Sequence, residues 1–167
     1  MKSYLRGFRS GLLMLAVAWL LPAFSPEPLV QAQPRLSMGS LLPYSAHSSP
    51  RMTQEWHGLS GWAGYDFATA CGEKLYSPVD GMIAYNGLDG YNHVDASGRA
   101  WPQSSMLVIE FGDGYEYVLL HGDYIAEVGT AVSRGDLIGY EASNGWSTGC
   151  HSHITIRKIG APVKWGD

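Results

Sequence analysis

Residues 147–157 read Ser-Thr-Gly-Cys-His-Ser-His-Ile-Thr-Ile-Arg, and this stretch decides how the rest of the chain is interpreted. A loop of small residues runs into a predicted strand that opens with two histidines one residue apart. Because strand side chains alternate between faces, His151 and His153 are expected on the same face. Two such imidazoles can serve as a metal ligand and a proton-transfer partner, or they can be polar residues on a solvated face.

The chain around this stretch favours a mostly β domain. Its 167 residues suit one domain with one core, and turn formers outweigh helix formers beyond residue 50. Residues 105–111 and 115–121 are apolar, partly alternating runs around a Gly-Asp-Gly turn, and they predict a β-hairpin. Further short apolar segments at 128–132 and 134–140 are bounded by glycine turns. The pattern predicts a closed or folded-over antiparallel sheet.

Residues 86–103 interrupt this pattern with Gly, Asn, Asp and Pro throughout, so we predict a long surface excursion there. His93 lies within it, and a lone loop histidine is usually solvated. We therefore leave His93 out of the predicted site.

The first 32 residues have the composition of a secretory signal. Lys2, Arg6 and Arg9 precede a short apolar segment, and small residues suit cleavage after Ala32. We predict a signal peptide at 1–32, a linker or strapped N-terminal arm at 33–51 and the folded domain at 52–167. The apolar segment is short for a transmembrane helix, so no stable membrane insertion is expected after cleavage, with an uncleaved anchor as the alternative. The predicted location is secreted or periplasmic, within the cell envelope.

The net charge and the cysteine content bear on which classes of function the chain can have. The formal net charge of -4 gives no electrostatic reason to expect nucleic acid binding. The two cysteines, Cys71 and Cys150, both lie in the predicted exported part, where an even pair indicates a disulfide. Two free thiols are the alternative, and Cys150 beside His151 would then be a conceivable nucleophile.

Residues of the types that bind metals occur both upstream and downstream of the hairpin. They are His57, Asp66, His121, His151 and His153. A catalytic zinc site commonly uses three protein ligands and leaves a fourth position for water. Further histidines then transfer protons and stabilise the developing oxyanion. The inventory fits such a site, although the spacing alone does not specify it.

Four motifs in order resemble the lysostaphin/LytM-type zinc endopeptidases of bacterial cell walls. The motifs are Tyr65-Asp66-Phe67-Ala68, the Ser-Pro-Val-Asp-Gly turn at 77–81, Leu119-Leu120-His121, and the Ser-Thr-Gly-x-His-x-His sequence at 147–153. The resemblance covers about residues 52–157. It implies antiparallel sheets folded into a distorted open barrel or sandwich with long surface loops. It also implies a Zn²⁺ cofactor and hydrolysis of peptide bonds in peptidoglycan stem peptides or cross-bridges.

The resemblance also implies roles for individual residues. Asp66 and His153 correspond to zinc ligands, and His121 and His151 correspond to the catalytic histidines that flank the attacking water. Some family members carry a cysteine pair at the two positions occupied here by cysteines, which strengthens the disulfide prediction. Trp146 and Trp62 could line the substrate groove, although large aromatic side chains are more often structural.

One family position departs from the pattern. The family usually has a histidine four residues before the aspartate, where this chain has Trp62, which cannot bind zinc. Either His57, nine residues before Asp66, completes the site across a glycine-rich loop, or the site is degenerate. A degenerate domain would bind the cell wall or activate an amidase, with a cell-wall enzyme as its partner. Peptidoglycan is the expected binding partner in both cases.

Overall fold

The computed structural model describes residues 38–59, 61–158 and 160–164. The predicted signal peptide, residues 1–32, lies outside the described residues, as do residues 33–37 of the predicted linker or arm. Within the described part, the chain forms one short 3-10 helix, Met38–Leu41, and strands joined by loops. That part holds no helix of the length and apolar character needed to cross a bilayer.

The strands are numbered in chain order. They are β1 (Arg51–His57), β2 (Gly64–Ala68), β3 (Lys74–Tyr76), β4 (Gly81–Leu88), β5 (His93–Val94), β6 (Ala100–Trp101), β7 (Ser105–Phe111), β8 (Tyr115–Leu120), β9 (Asp123–Tyr124), β10 (Ala131–Val132), β11 (Leu137–Tyr140), β12 (Ser152–Lys158) and β13 (Ala161–Pro162).

Antiparallel pairing joins these strands into one large sheet and two smaller ones. The main sheet has the order β1-β2-β12-β8-β7-β4-β10, with β13 beside β12. A second sheet has the order β3-β11-β9, and β5 and β6 form a two-stranded ribbon. Because β1 and β10 end the main sheet without pairing with each other, the sheet stays open. The predicted mostly β, antiparallel and open fold is confirmed.

The centre of the main sheet consists of the predicted hairpin, now β7 and β8, and of the strand that follows the histidine motif, β12. Alternation gives the three strands one fully buried face, formed by Leu107, Ile109, Tyr117, Leu119, Ile154 and Ile156. On the opposite face, a cross-strand row places His153 between Asp66 on β2 and Leu120 on β8. The candidate site lies on this second face.

The segment before β1 contacts the sheets closely. Leu41 is fully buried within the core, and its carbonyl accepts a hydrogen bond of 2.7 Å from the Tyr117 hydroxyl. The backbone N–H of Tyr76 donates to the Pro43 carbonyl at 2.7 Å. The prediction of a linker or an arm covered this segment, and its boundary at residue 52 stays a prediction.

Cys71 and Cys150 form a disulfide, as predicted. The bridge joins the loop after β2 to the loop that leads into β12. Since no cysteine remains free, the alternative of a Cys150 nucleophile is wrong.

The surface excursion predicted for residues 86–103 is more regular than expected. Strand β4 continues to Leu88, and the ribbon β5–β6 occupies much of the remainder. The sequence did not predict this hairpin, because its two strands are only two residues long and lie among Asn, Gly and Asp residues.

Candidate active site

A groove of about 530 Å³ lies on the second face of the main sheet. It brings together all the residues predicted for the site, including the two tryptophans. These are His57, Trp62, Asp66, His121, Trp146, His151 and His153. They come from β1, β2, β12 and the loops that follow β1, β8 and β11, so the fold assembles the groove from distant parts of the chain.

The Asp66 carboxylate is the centre of the groove, because three imidazoles converge on it. His153 Nδ1 lies 2.7 Å from Oδ1, while His57 Nε2 and His151 Nε2 lie 3.4 and 3.6 Å from Oδ2. Asp66 and His153 are cross-strand partners of β2 and β12, which explains the shortest contact. Gly64 makes the close approach of these strands possible, since a Cβ there would lie 2.1 Å from the Ile154 carbonyl oxygen.

Opposing effects act on the Asp66 carboxyl. Burial raises its pKa, but the hydrogen bond to His153 and the charges of the surrounding imidazoles together lower the pKa below the ordinary value. The carboxylate is therefore ionised at neutral pH, although only 7% of the residue is exposed. A buried anion surrounded by imidazoles is an electrostatic environment that suits a bound cation.

Backbone carbonyls orient the rings of the four histidines around this centre. A carbonyl oxygen only accepts hydrogen bonds, so the ring nitrogen that contacts it carries a hydrogen, and in a neutral ring the other nitrogen keeps its lone pair. The four contacts are His57 Nδ1 with Glu55 O at 2.8 Å, His121 Nδ1 with Asn144 O at 2.8 Å, His151 Nδ1 with Gly149 O at 2.8 Å, and His153 Nε2 with Trp62 O at 2.9 Å. In their neutral forms, His57 and His151 thus direct the lone pair of Nε2 towards Asp66, while His153 Nδ1 forms a hydrogen bond of 2.7 Å with Asp66 Oδ1.

The donor set fits a zinc ion. One ligand atom from each of His57, Asp66 and His153 lies within 4.8 Å of the other two. Two imidazole nitrogens with one carboxylate oxygen form a common zinc set that leaves a position open. The carbonyl partners of the two rings are the outer contacts that orient metal-binding histidines.

His57 reaches this centre because β1 is irregular. The register of β1 against β2 shifts between Met52 and Gln54 and again between Gln54 and His57. Such bulges change the direction in which a side chain points. Trp62 contributes differently, since its carbonyl oxygen accepts hydrogen bonds from His153 Nε2 and from Thr155 Oγ1 at 3.0 Å.

His121 directly follows β8 and has a left-handed backbone conformation, with φ of 76°. This conformation is costly for a residue other than glycine and is often found at functional sites. Burial lowers the pKa of His121 to about 4, with a further lowering from the nearby His151 and His153, and the hydrogen bond to Asn144 opposes this shift. The ring is therefore neutral at pH 7, and its centroid lies 4.6 Å from that of His151.

The buried side chain of Glu141 binds the start of β12 on the face opposite the two histidines. Ser152 lies between the two histidines on the other face of the strand and donates a 3.0 Å hydrogen bond to Glu141 Oε1. Thr69 Oγ1 donates to Oε2 at 3.1 Å, and the Tyr44 hydroxyl lies 2.7 Å from the same oxygen. Burial raises the pKa of Glu141, and these hydrogen bonds partly offset the shift.

His93 is not the solvated loop histidine that the sequence predicted. Only 10% of its side chain is exposed, and it lines the groove, where its Nε2 lies 2.7 Å from Asp89 Oδ2. Asp89 and Tyr91 also line the groove and were not predicted. The spacing of Asp89 and His93 was a visible signal, but only the fold of the ribbon shows that both residues face the groove.

A sequence model of peptidase family M23 matches residues 60–165. DD-carboxypeptidase/endopeptidase Mpg of Neisseria meningitidis is 30% identical over 143 residues, which is 84% of this chain but only 28% of that protein. A zinc containing peptidase from Vibrio cholerae has a similar fold, with a TM-score of 0.57 and 26% identity, over 75% of this chain and 38% of that chain. Lysostaphin from Staphylococcus simulans shares the fold with a TM-score of 0.53 and 18% identity, over 78% of this chain and 50% of that chain.

Proposed function

This chain belongs to peptidase family M23, and from this membership we propose that it is a zinc-dependent endopeptidase of peptidoglycan. Its substrates would be peptide bonds in the stem peptides or cross-bridges. The meningococcal relative is named a DD-carboxypeptidase/endopeptidase, and the Vibrio cholerae neighbour is a zinc containing peptidase. The chain spans 28% of the length of that relative.

The observation that carries the proposal is the convergence of three imidazole nitrogens on the Asp66 carboxylate. In our proposal, His57 Nε2, a carboxylate oxygen of Asp66 and His153 Nδ1 hold the metal. When bound, zinc supplies Lewis acidity, which polarises a scissile carbonyl and makes a water molecule nucleophilic near neutral pH. His57 would thereby replace the histidine that other members carry at the position of Trp62.

The two remaining histidines would move protons. His121 is neutral at pH 7 and its Nδ1–H is bound to Asn144, so its Nε2 can accept a proton from the attacking water. His151 presents Nε2 beside Asp66 and would act as the second proton carrier. Once protonated, either ring becomes a donor that can stabilise the oxyanion or protonate the leaving amine.

Action on peptidoglycan would require the mature protein to work outside the cytoplasm. The proposed signal peptide at 1–32 would direct export, and the mature domain would act in the periplasm or at the cell surface without inserting in the membrane. The disulfide suits this oxidising compartment. The acidic net charge gives little attraction to an anionic wall, so binding would depend on contacts within the groove or on a partner enzyme.

The test combines metal content with digestion of purified peptidoglycan. We expect about one zinc per chain and release of soluble muropeptides, detected by liquid chromatography, and we expect chelation to stop the release. Asp66→Asn should abolish both zinc binding and release, while His47→Ala, at an exposed position, should preserve both. If Asp66→Asn kept both zinc binding and muropeptide release, the proposed metal centre would be refuted.

A noncatalytic module is the second candidate, and the observation that favours it is Trp62 at a usual ligand position. In that case the chain would bind cell wall or activate an amidase. Zinc-free protein that releases no muropeptides, but raises the activity of a cell-wall amidase, would favour this candidate over the peptidase.

A further inference from the structure

One wall of the groove consists of residues that the proposed metal chemistry does not use. These residues are Asp89, Tyr91, His93 and Trp146, and we call them the aromatic wall. Two of them, Tyr91 and Trp146, are 43% and 40% exposed. Large aromatic faces that remain exposed within a concave site are available for a ligand.

The Asp89–His93 pair is built into the wall. The side chains of Asp89 and His93 are only 5% and 10% exposed, and Asp89 Oδ1 also accepts the backbone N–H of Tyr91 at 3.0 Å. His93 Nε2 donates to Asp89, and Nδ1 has no hydrogen-bond partner within the described part of the chain. The pair therefore holds a desolvated carboxylate beside an unused ring nitrogen that can accept a hydrogen bond.

Aromatic rings cover this pair on successive sides. The His93 ring centroid lies 4.8 Å from that of Trp146 and 6.0 Å from that of Tyr91. Trp146 is fixed in place because Gly145, at φ of 81°, lies against Ser104, and because the Trp146 N–H donates to Ser104 Oγ at 3.2 Å. A Cβ at position 145 would lie 2.2 Å from the Ser104 Cα, so only glycine permits this contact.

The ribbon that carries His93 is also held rigidly. His93 pairs with Trp101 across β5 and β6, and Asp95 accepts hydrogen bonds from the Trp101 indole and from the backbone N–H of Arg99, each at 3.0 Å. A site whose residues are fixed before binding loses less entropy when a ligand arrives.

The charges of the groove select the ligand. Among the described residues that line it, Asp66 and Asp89 are the acidic ones, and none is lysine or arginine. Aromatic faces, a nearby carboxylate and a free acceptor nitrogen are all complementary to a primary ammonium group. With Asp66 assigned to the proposed metal, Asp89 remains as the carboxylate that would attract such a group.

We propose that the aromatic wall is a specificity subsite that binds the primary ammonium group of an amino-acid side chain in the peptide substrate. The inference rests on the proposed function for its substrate class, since both concern one groove. It deepens that function by assigning a preference for peptides with a free side-chain amine near the scissile bond. His93, Asp89 and Trp146 are thereby binding residues and not groups that take part in the chemical step.

The test is a binding measurement that does not depend on turnover. Two tripeptides blocked at both ends carry a central lysine or its Nε-acetylated form, with the scissile amide replaced by a ketomethylene group. Isothermal titration of the full chain should give an affinity about 5- to 30-fold higher for the lysine peptide, the range expected of a cation near aromatic faces.

Substitutions in the aromatic wall test whether it causes the preference for the lysine peptide. Trp146→Ala and Asp89→Asn should each bring the two affinities close to equality, while Trp146→Phe should keep part of the difference. Tyr85→Ala, which removes an equally exposed aromatic residue outside the groove, should retain the full difference. Because Trp146 is 40% exposed, its substitution should leave the fold intact, as circular dichroism would verify.

Two results would overturn the inference: equal affinities in the unaltered protein, or a lysine preference that survives in both Trp146→Ala and Asp89→Asn. Peptidoglycan digestion run in parallel separates this inference from the proposed function. Digestion without a lysine preference would leave the peptidase standing and remove the subsite. A lysine preference without digestion would support the subsite and contradict the peptidase.

Discussion

Replacement of His57 by alanine tests the residue on which the proposed metal centre depends most. His57 Nε2 lies 3.4 Å from Asp66 Oδ2, and the His57 side chain is 29% exposed at the rim of the groove. Its ring contacts the His153 ring edge-on, with centroids 4.9 Å apart. Without metal, we expect His57→Ala to cost no more than about 1 kcal/mol of unfolding free energy, because this ring contact is the main packing lost.

With zinc, the expected difference is larger. Outer-sphere contacts to metal-binding residues change affinity by about 10- to 100-fold, so loss of a ligand should weaken binding by at least about 100-fold. At a zinc concentration 1,000 times the dissociation constant of the unaltered protein, binding adds about 4.1 kcal/mol to stability, but only about 1.4 kcal/mol in the variant. For a chain of this size, the difference of about 2.7 kcal/mol corresponds to roughly 5 to 11 °C in the zinc-induced shift of Tm.

Thermal unfolding with and without zinc measures this shift directly. His47→Ala is the matched control, because His47 is exposed and lies outside the groove. The control should show the same zinc-induced shift as the unaltered chain. A His57→Ala variant with an unchanged zinc-induced shift and unchanged zinc content would refute the assignment of His57 as a ligand.

Three further expectations concern stability. Reduction of the Cys71–Cys150 bridge, which spans a sequence separation of 79, should lower the free energy of unfolding by about 4.5 kcal/mol in the chain-entropy model. Urea unfolding with and without reductant measures this difference, and a loss below about 1 kcal/mol would contradict the expectation. Leu41→Ala should lower the free energy of unfolding by about 2 to 5 kcal/mol, because Leu41 is fully buried. The control Leu88→Ala, at a residue that is 55% exposed, should lower it by less than about 0.5 kcal/mol. Equal losses in the two variants would show that the segment around Leu41 does not stabilise the fold. Because burial lowers the pKa of His121 from 6.5 to about 4, the unfolded state binds the proton first as the pH falls, so His121 should make the metal-free protein about 2 kcal/mol less stable at pH 5 than at pH 7. His121→Gln should lack this component of the pH dependence, and an unchanged pH profile would contradict the assignment.

The parts of the fold that the sequence predicts best are those in which periodicity is local. Strands β7 and β8 match the predicted hairpin within a residue, because their apolar residues alternate around a Gly-Asp-Gly turn. Strand β12 follows the two histidines as expected, starting one residue later at Ser152. The family resemblance supplied the grouping of residues from β2, β8 and β12, which alternation within one strand could not have predicted.

The parts that the sequence could not predict depend on register and on loop folding. Two register shifts in β1 direct His57 towards Asp66, and no residue pattern in the strand indicates a bulge. His93 was assigned to solvent because its ribbon consists of two-residue strands, too short to show alternation. Its partner Asp89 makes the histidine part of the groove, and this contact depends on the fold of the intervening loop.

Backbone contacts explain how a tryptophan at position 62 is compatible with the orientation of His153. The group at position 62 that His153 contacts is a carbonyl oxygen, which every amino acid supplies, so the outer contact is independent of the side chain there. The side chain of residue 62 is then free to join the groove wall, and its indole N–H donates to the Tyr91 hydroxyl at 3.0 Å. In the proposed centre, the remaining ligand nitrogen would come from His57, which lies on the strand next to Asp66 with its own carbonyl partner at Glu55. A histidine supplied from β1 is therefore compatible with the same orientation of His153, because the carbonyl contacts that fix each ring belong to separate segments of the backbone.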